Sequence, residues 1–149
     1  MGQTLTSVIL HIIFSTKGKI PAINSEIKQD LMAYMGGIVR ELKGKPLVIN
    51  GTSDHVHMLI EIPTTISISE MVRIVKTNSS KWVHQKYQSN MFAWQNGYGA
   101  FSVSKSAIQT VFAYIENQEF HHKNRSFQEE FITFLKKHQI SYDEQYIWI

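Results

Sequence analysis

Hydrophobic and polar positions follow two periods along this chain, and the switches between them divide it into eight elements. Ser7 to Ser15 is dense in Val, Ile, Leu and Phe and stops at Lys17-Gly18-Lys19, which predicts a buried first strand. Ile27, Leu31, Ile38, Val39 and Leu42 then recur at helical spacing, between N-cap oxygens at Asn24 and Ser25 and a stop at Gly44. Leu47 to Ile49 and His55 to Ile62 read as a hairpin around Asn50-Gly51, a pair that tolerates positive φ. Ser67-Ile68-Ser69-Glu70 has the form of a capping box. It opens a helix with Met71, Val72, Val75, Trp82 and Val83 on its apolar side, ending before Ser89-Asn90. Phe101 to Ser104 is a short strand, after which Ser104 or Ser106 caps a helix to about His121. A second capping box, Ser126-Phe127-Gln128-Glu129, starts a last helix to about His138.

The order β-α-β-β-α-β-α-α predicts an α+β fold of ferredoxin-like (split βαβ, RRM-like) plan: an antiparallel sheet with two helices on one face, the other face open, and helices added at the C-terminal end. No repeat, low-complexity segment or long linker interrupts the pattern, so residues 1–149 read as a single domain. The aromatic stretch Tyr142 to Ile149 is expected to pack back onto the body or onto a partner chain.

Composition narrows the chemistry. With 43% hydrophobic and 18% charged residues the chain can bury a core of its own. The absence of Cys excludes a disulfide framework, a thiolate metal site and a Cys nucleophile, leaving imidazoles, carboxylates, amides and hydroxyls. The apolar run Val8 to Phe14 is too short to span a bilayer and contains His11, so neither a signal peptide nor a membrane contact is expected and a cytoplasmic location fits. A net charge of +3 permits a polyanionic partner without requiring one.

Three constellations carry candidate chemistry. In Asp54-His55-Val56-His57-Met58-Leu59-Ile60-Glu61-Ile62, strand alternation puts His55, His57, Leu59 and Glu61 on one face and Val56, Met58, Ile60 and Ile62 on the other, core-forming face. Two adjacent imidazoles on the less buried face can ligate one divalent ion, or they are two surface histidines. On the third helix, Ile108, Val111, Phe112 and Ile115 form the apolar stripe, and Tyr114 and Gln118 lie one turn apart on its flank, in a row continued by His121. The pair is either part of an active site or a boundary tyrosine with a solvated neighbour. Phe92 to Ser104 interleaves aromatics with Gly, near Lys76, Lys81, Lys86 and Lys105; it could stack unpaired bases, but core packing is the preferred reading. His11, His84, His122 and His138 are read as structural or solvent-facing, and Glu61 as an exposed strand carboxylate.

Taken together, the His-x-His strand, Trp94-Gln95-x-Gly97-Tyr98-x-x-Phe101-Ser102-Val103, and Tyr114-Ile115-x-Asn117-Gln118 followed by His121-His122 resemble the single-tyrosine HUH transposases of bacterial insertion sequences, the IS-two-hundred-like group. The resemblance runs from Phe14-Ser15-Thr16-Lys17 to Tyr142-Asp143-Glu144-x-Tyr146-x-Trp148. It implies a DNA transposase that cuts and rejoins single-stranded DNA at insertion-sequence ends through a 5′-phosphotyrosine. His55, His57 and Gln118 would bind a divalent metal, Mg²⁺ or Mn²⁺, and Tyr114 would be the nucleophile. It further implies DNA partners with hairpin ends and a homodimer, with the tyrosine helix able to serve the partner's metal site. The rivals are a domesticated nickase or hairpin-binding relative acting on repeated palindromes, a non-catalytic single-strand-binding module, and a two-histidine phosphoesterase. The binding module needs aromatics where His55 and His57 stand. The phosphoesterase needs two separated His-x-Ser/Thr motifs, a pattern that His55-Val56-His57 and His57-Met58-Leu59 fail.

Overall fold

A computed structural model describes residues 2–88 and 91–149. Strand β1 (Ile9–Ser15) leads through a 3-10 turn at Lys17–Lys19 into helix α1 (Ser25–Glu41), followed by β2 (Lys45–Gly51), β3 (His55–Glu61), α2 (Ile68–Tyr87) and β4 (Gly99–Val103). A second 3-10 turn at Lys105–Ala107 then precedes α3 (Ile108–Glu116), the single turn α4 (Gln118–His121) and α5 (Phe127–Lys137). The four strands form one antiparallel sheet in the order β2-β3-β1-β4, the ferredoxin-like plan. The two most apolar strands, β1 and β3, occupy its centre. Ser89-Asn90, ahead of which α2 was expected to stop, lie outside the described residues; α2 ends at Tyr87.

Side chains set the helix starts as anticipated. Asn24, Ser67 and Ser126 accept hydrogen bonds from the backbone N–H groups of Ile27, Glu70 and Glu129, satisfying donors that a helix leaves unpaired at its first turn. Two local expectations are corrected. Asn50-Gly51 does not form the hairpin turn: both residues belong to β2, opposite His57 and Val56, and Thr52-Ser53-Asp54 make the connection. Gly51 is needed for close approach, since a Cβ there would run into the carbonyl oxygen of His55. The helix expected to run to His121 breaks at Asn117, and the Asn50 amide donates to the carbonyls of Ile115 (3.0 Å) and Glu116 (3.1 Å) at the break.

Both faces of the sheet are covered. On one, Leu10, Ile12, Phe14, Val56, Met58 and Ile60 pack against α1 and α2. On the other, Ile9 and Leu59 meet Ile115 of α3, and Ile13 and Phe101 meet Phe127, Phe131 and Leu135 of α5. The expected open face is therefore closed, because α3 and α5 each carry an apolar stripe that has to be buried. The C-terminal stretch packs back as expected: Tyr142, Ile147 and Trp148 lie against the α5 cluster, and Asn96 N–H donates to the Ile149 carbonyl.

Of the Phe92 to Ser104 stretch, Phe92, Trp94 and Phe101 are core, in line with the preferred reading, while Tyr98 is exposed. Trp94 is buried edge-on to Phe14 at 4.9 Å, with its indole N–H donating to Ser79 Oγ at 3.0 Å. Lys76 is committed to backbone carbonyls, 2.8 Å from Gln95 O and 2.6 Å from Gly97 O, and burial lowers its pKa to about 8. It is thus a clamp for this loop rather than a spare phosphate ligand.

Candidate active site and metal centre

Strand alternation puts His55 and His57 side by side on the sheet face covered by α3, α4 and α5, where both are fully buried. From α4 comes Gln118, also fully buried, with Oε1 3.2 Å from His55 Nε2. From the turn after it comes His122, and from α5 comes Glu130, with no exposed surface. One oxygen of Glu130 lies 3.0 Å from His57 Nε2, 3.1 Å from His122 Nε2 and 3.5 Å from His55 Nε2. The other accepts a very short hydrogen bond from the Tyr114 hydroxyl. Arg125 Nη2 donates to the same phenol oxygen at 3.1 Å.

The surroundings orient each ring. His55 Nδ1 bonds to Asp54 Oδ1 at 2.7 Å, which turns Nε2 towards the cluster. His57 Nδ1 bonds to His11 Nε2 at 2.7 Å. Tyr114 stacks on His121 at 4.4 Å and meets Phe134 edge-on at 5.8 Å, which fixes its ring.

The donor set suits a divalent cation. Three imidazole nitrogens, a carboxylate and an amide oxygen converge, and the four His and Glu ligand atoms lie within 4.8 Å of one another. Adjacent ligands about 2.1 Å from a common ion stand roughly 3.0 to 3.4 Å apart, close to the 3.0 to 3.5 Å seen between Glu130 and the imidazoles. The buried Nε2 of His122 makes no aligned hydrogen bond, as expected of a lone pair meant for an ion.

Burial lowers the pKa of His57 from 6.5 to about 4 and that of His11 to about 3, so both stay neutral in the fold. Burial also opposes the charge on His55, but Asp54 and Glu130 outweigh it and raise its pKa. Burial would raise Glu130, yet the surrounding His122, His55 and His57 hold it well below the carboxylate range. Tyr114 is pushed up, by burial first and then by Glu130. Below pH 6.5 the unfolded chain protonates His11 and His57 while the folded chain does not, so stability falls as pH drops from 6.5 towards 4. His55 is then protonated in both states and adds little slope. The expected result is a melting temperature in EDTA that declines steadily between pH 6.5 and 4.5, followed by calorimetry; a rise on acidification would contradict this balance.

The resemblance assigns His55, His57, Tyr114 and Gln118 to one site, and in the structure the four lie together. Sequence reasoning does not single out Arg125 or Glu130; His11 is a structural histidine bonded to His57, while the reading of His122 as unpaired at metal spacing is corrected. A signal for Glu130 existed: it shares the Phe127, Phe131 and Phe134 stripe of α5, and a carboxylate in such a row is out of place unless paired. Glu61 lies away from the cluster at the far end of β3, opposite Ile9 and Lys45.

Comparison with known proteins identifies the family and the fold. The family model described as "Transposase IS200 like" matches residues 4–118. The transposase for insertion sequence element IS200 of Salmonella typhimurium LT2 is 29% identical over 129 residues, covering 79% of this chain and 81% of the relative, and that of Salmonella typhi matches equally. Among solved structures, a candidate transposase from Deinococcus radiodurans R1 superposes with a TM-score of 0.62 at 20% identity, over 79% of this chain and 96% of that one. A REP-associated tyrosine transposase bound to a REP hairpin gives 0.61 at 11% identity, over 82% and 72%. His122, Arg125 and Glu130 lie beyond the matched segment, while His55, His57, Tyr114 and Gln118 lie within it. With the matched segment spanning most of the chain and every strand of its sheet, this protein belongs to the IS200-like transposase family.

Proposed function

We propose that this transposase cleaves and rejoins single-stranded DNA at insertion-sequence ends, with Tyr114 as the nucleophile. The observation that carries the reading is the Tyr114 hydroxyl held against a buried cluster of His55, His57, His122 and Glu130. Oη would bond to the scissile phosphorus as the bond to the 3′-oxygen breaks, leaving a 5′-phosphotyrosine and a free 3′-hydroxyl. The phosphodiester energy is kept in that bond, so attack by another 3′-hydroxyl can reverse the step at a new junction. Glu130 Oε2 accepts the phenol's hydrogen bond and so aims its oxygen; a carboxylate held well below its usual range is too weak a base to keep the proton, which ends on the departing 3′-oxygen. Arg125, on the same oxygen, offsets the developing phenolate charge.

His55, His57 and Gln118, joined by His122 and Glu130, would hold the divalent cation. When bound, such an ion supplies Lewis-acid polarisation of the scissile phosphate and fixes its orientation. Three imidazoles favour Mn²⁺ over Mg²⁺, which prefers oxygen ligands and retained water. The DNA partner is proposed to carry hairpin ends, and a homodimer would bring two ends together. The curated relatives favour a mobile-element enzyme over a domesticated nickase.

The test incubates the protein with single-stranded DNA carrying the flanking element end, in Mn²⁺, Mg²⁺ or EDTA, and resolves it on a denaturing gel. A covalent band strongest in Mn²⁺ and absent in EDTA is expected. A band of equal yield in EDTA would remove the cation from the reaction.

A further inference from the structure

A cavity of about 220 Å³ opens beside the Tyr114 ring, between α3 and α5. Its walls are apolar, formed by Val111, Phe134 and the His11 ring, and no acidic residue lines it. One face of α5 runs along it in helical steps, from Glu130 at the phenol through Thr133 and Phe134 to the exposed Lys137. Arg125 borders this cavity and also a second, polar one of about 390 Å³, which reaches Asp54 and His122 on the other side of the cluster. Among the described residues, neither Arg125 nor Lys137 lies within ion-pair distance of a carboxylate.

We propose that the smaller cavity receives the single nucleotide flanking the scissile phosphate, with its base against Phe134 and Val111. The phosphate would lie at Arg125 and a further backbone phosphate at Lys137, so the strand passes between the two cavities over Arg125. This assignment rests on the transposase reading of the site. Three features select a nucleotide over other occupants. The nucleophile forms part of the wall, so whatever enters must present the reacting atom. Two cations, neither within ion-pair distance of a carboxylate among the described residues, complement a phosphodiester. The Phe134 ring in the cavity wall suits a base, which stacks regardless of sequence. The volume lies below the roughly 300 to 1,000 Å³ of pockets for drug-sized ligands, which limits the occupant to one base. Because Arg125, Thr133, Phe134 and Lys137 all follow residue 118, half of the cavity's lining comes from the segment outside the family match.

The test has two arms. In the first, thymidine 3′,5′-bisphosphate is titrated calorimetrically into the Mn²⁺-loaded protein, its Thr133→Trp variant, which fills the cavity, and its Lys137→Glu variant, which reverses the charge at the mouth. Both variants should bind at least tenfold more weakly while keeping the wild-type rise in melting temperature with Mn²⁺. No binding to the wild type, or equal affinity in all three proteins, overturns the proposal. In the second, element-end oligonucleotides with an abasic residue on either side of the scissile phosphate are compared for the rate of covalent adduct formation. One of the two should react about tenfold more slowly with the wild type and show no such deficit with Thr133→Trp; no effect at either position overturns the proposal. Failure of every oligonucleotide to form an adduct would strike the transposase reading instead, with the mononucleotide titration still deciding the cavity.

Discussion

Replacing Tyr114 with Phe is expected to abolish the covalent protein-DNA adduct while leaving a folded protein that still binds the element-end oligonucleotide. The substitution removes one oxygen and keeps the ring, so the stack on His121 at 4.4 Å and the edge contact with Phe134 at 5.8 Å persist. Glu130 and Arg125 each lose a partner. A buried polar atom left unpaired costs about 1 to 3 kcal/mol, or roughly 2 to 4 °C of melting temperature per kcal/mol for a domain of this size. The effect on chemistry is of another order, since no neighbouring group can take over the covalent step and adduct yield should fall at least about a thousandfold. Denaturing gels with end-labelled DNA, beside a thermal melt of the same sample, separate the two effects. Undiminished adduct in the Phe variant would remove Tyr114 as the nucleophile.

The elements were legible because each is specified locally. Capping oxygens at Asn24, Ser67 and Ser126 sit where the helices begin, and period-2 alternation in β3 put His55 and His57 on one face. What covers that face was not legible. Whether α3 and α5 return over the sheet depends on how their apolar stripes dock, which no local pattern reports. His122 shows the same limit. Continuing one helix through residue 121 makes His121 the next member of the Tyr114 and Gln118 row, and His121 does stack on Tyr114. His122 turns inward only because the helix breaks at Asn117, where Asn50, more than sixty residues earlier, holds the last carbonyls. Glu130 stays hidden because the last helix is recognised by its capping box alone, Ser126 to Glu129, and its buried face is not traced. Its partners come from β3, α3 and the turn after α4, so pairing of this carboxylate exists only in the assembled fold.

Glu130 is the residue whose loss should reach furthest, because its two oxygens serve different neighbours. Glu130→Gln keeps the shape and removes the charge, so the imidazoles lose the anion that offsets the ion's positive charge. For the wild type, Mn²⁺ at a hundred times its dissociation constant should add about 2.7 kcal/mol of stability, a rise of roughly 5 to 11 °C. If the substitution weakens cation binding about a hundredfold, the same Mn²⁺ concentration adds only about 0.4 kcal/mol. The cation-free variant should also melt lower than the wild type, since removing one member of a buried charged cluster costs up to about 3 to 5 kcal/mol. Adduct formation should fall with both losses, as the amide neither completes the ligand set nor holds the Tyr114 hydroxyl as a charged acceptor does. Thermal melts with and without Mn²⁺ tell the roles apart: a group that only supports the fold would lower the cation-free melt and leave the Mn²⁺ increment intact. An undiminished increment would place Glu130 outside the ligand set and leave it solely as the partner of Tyr114.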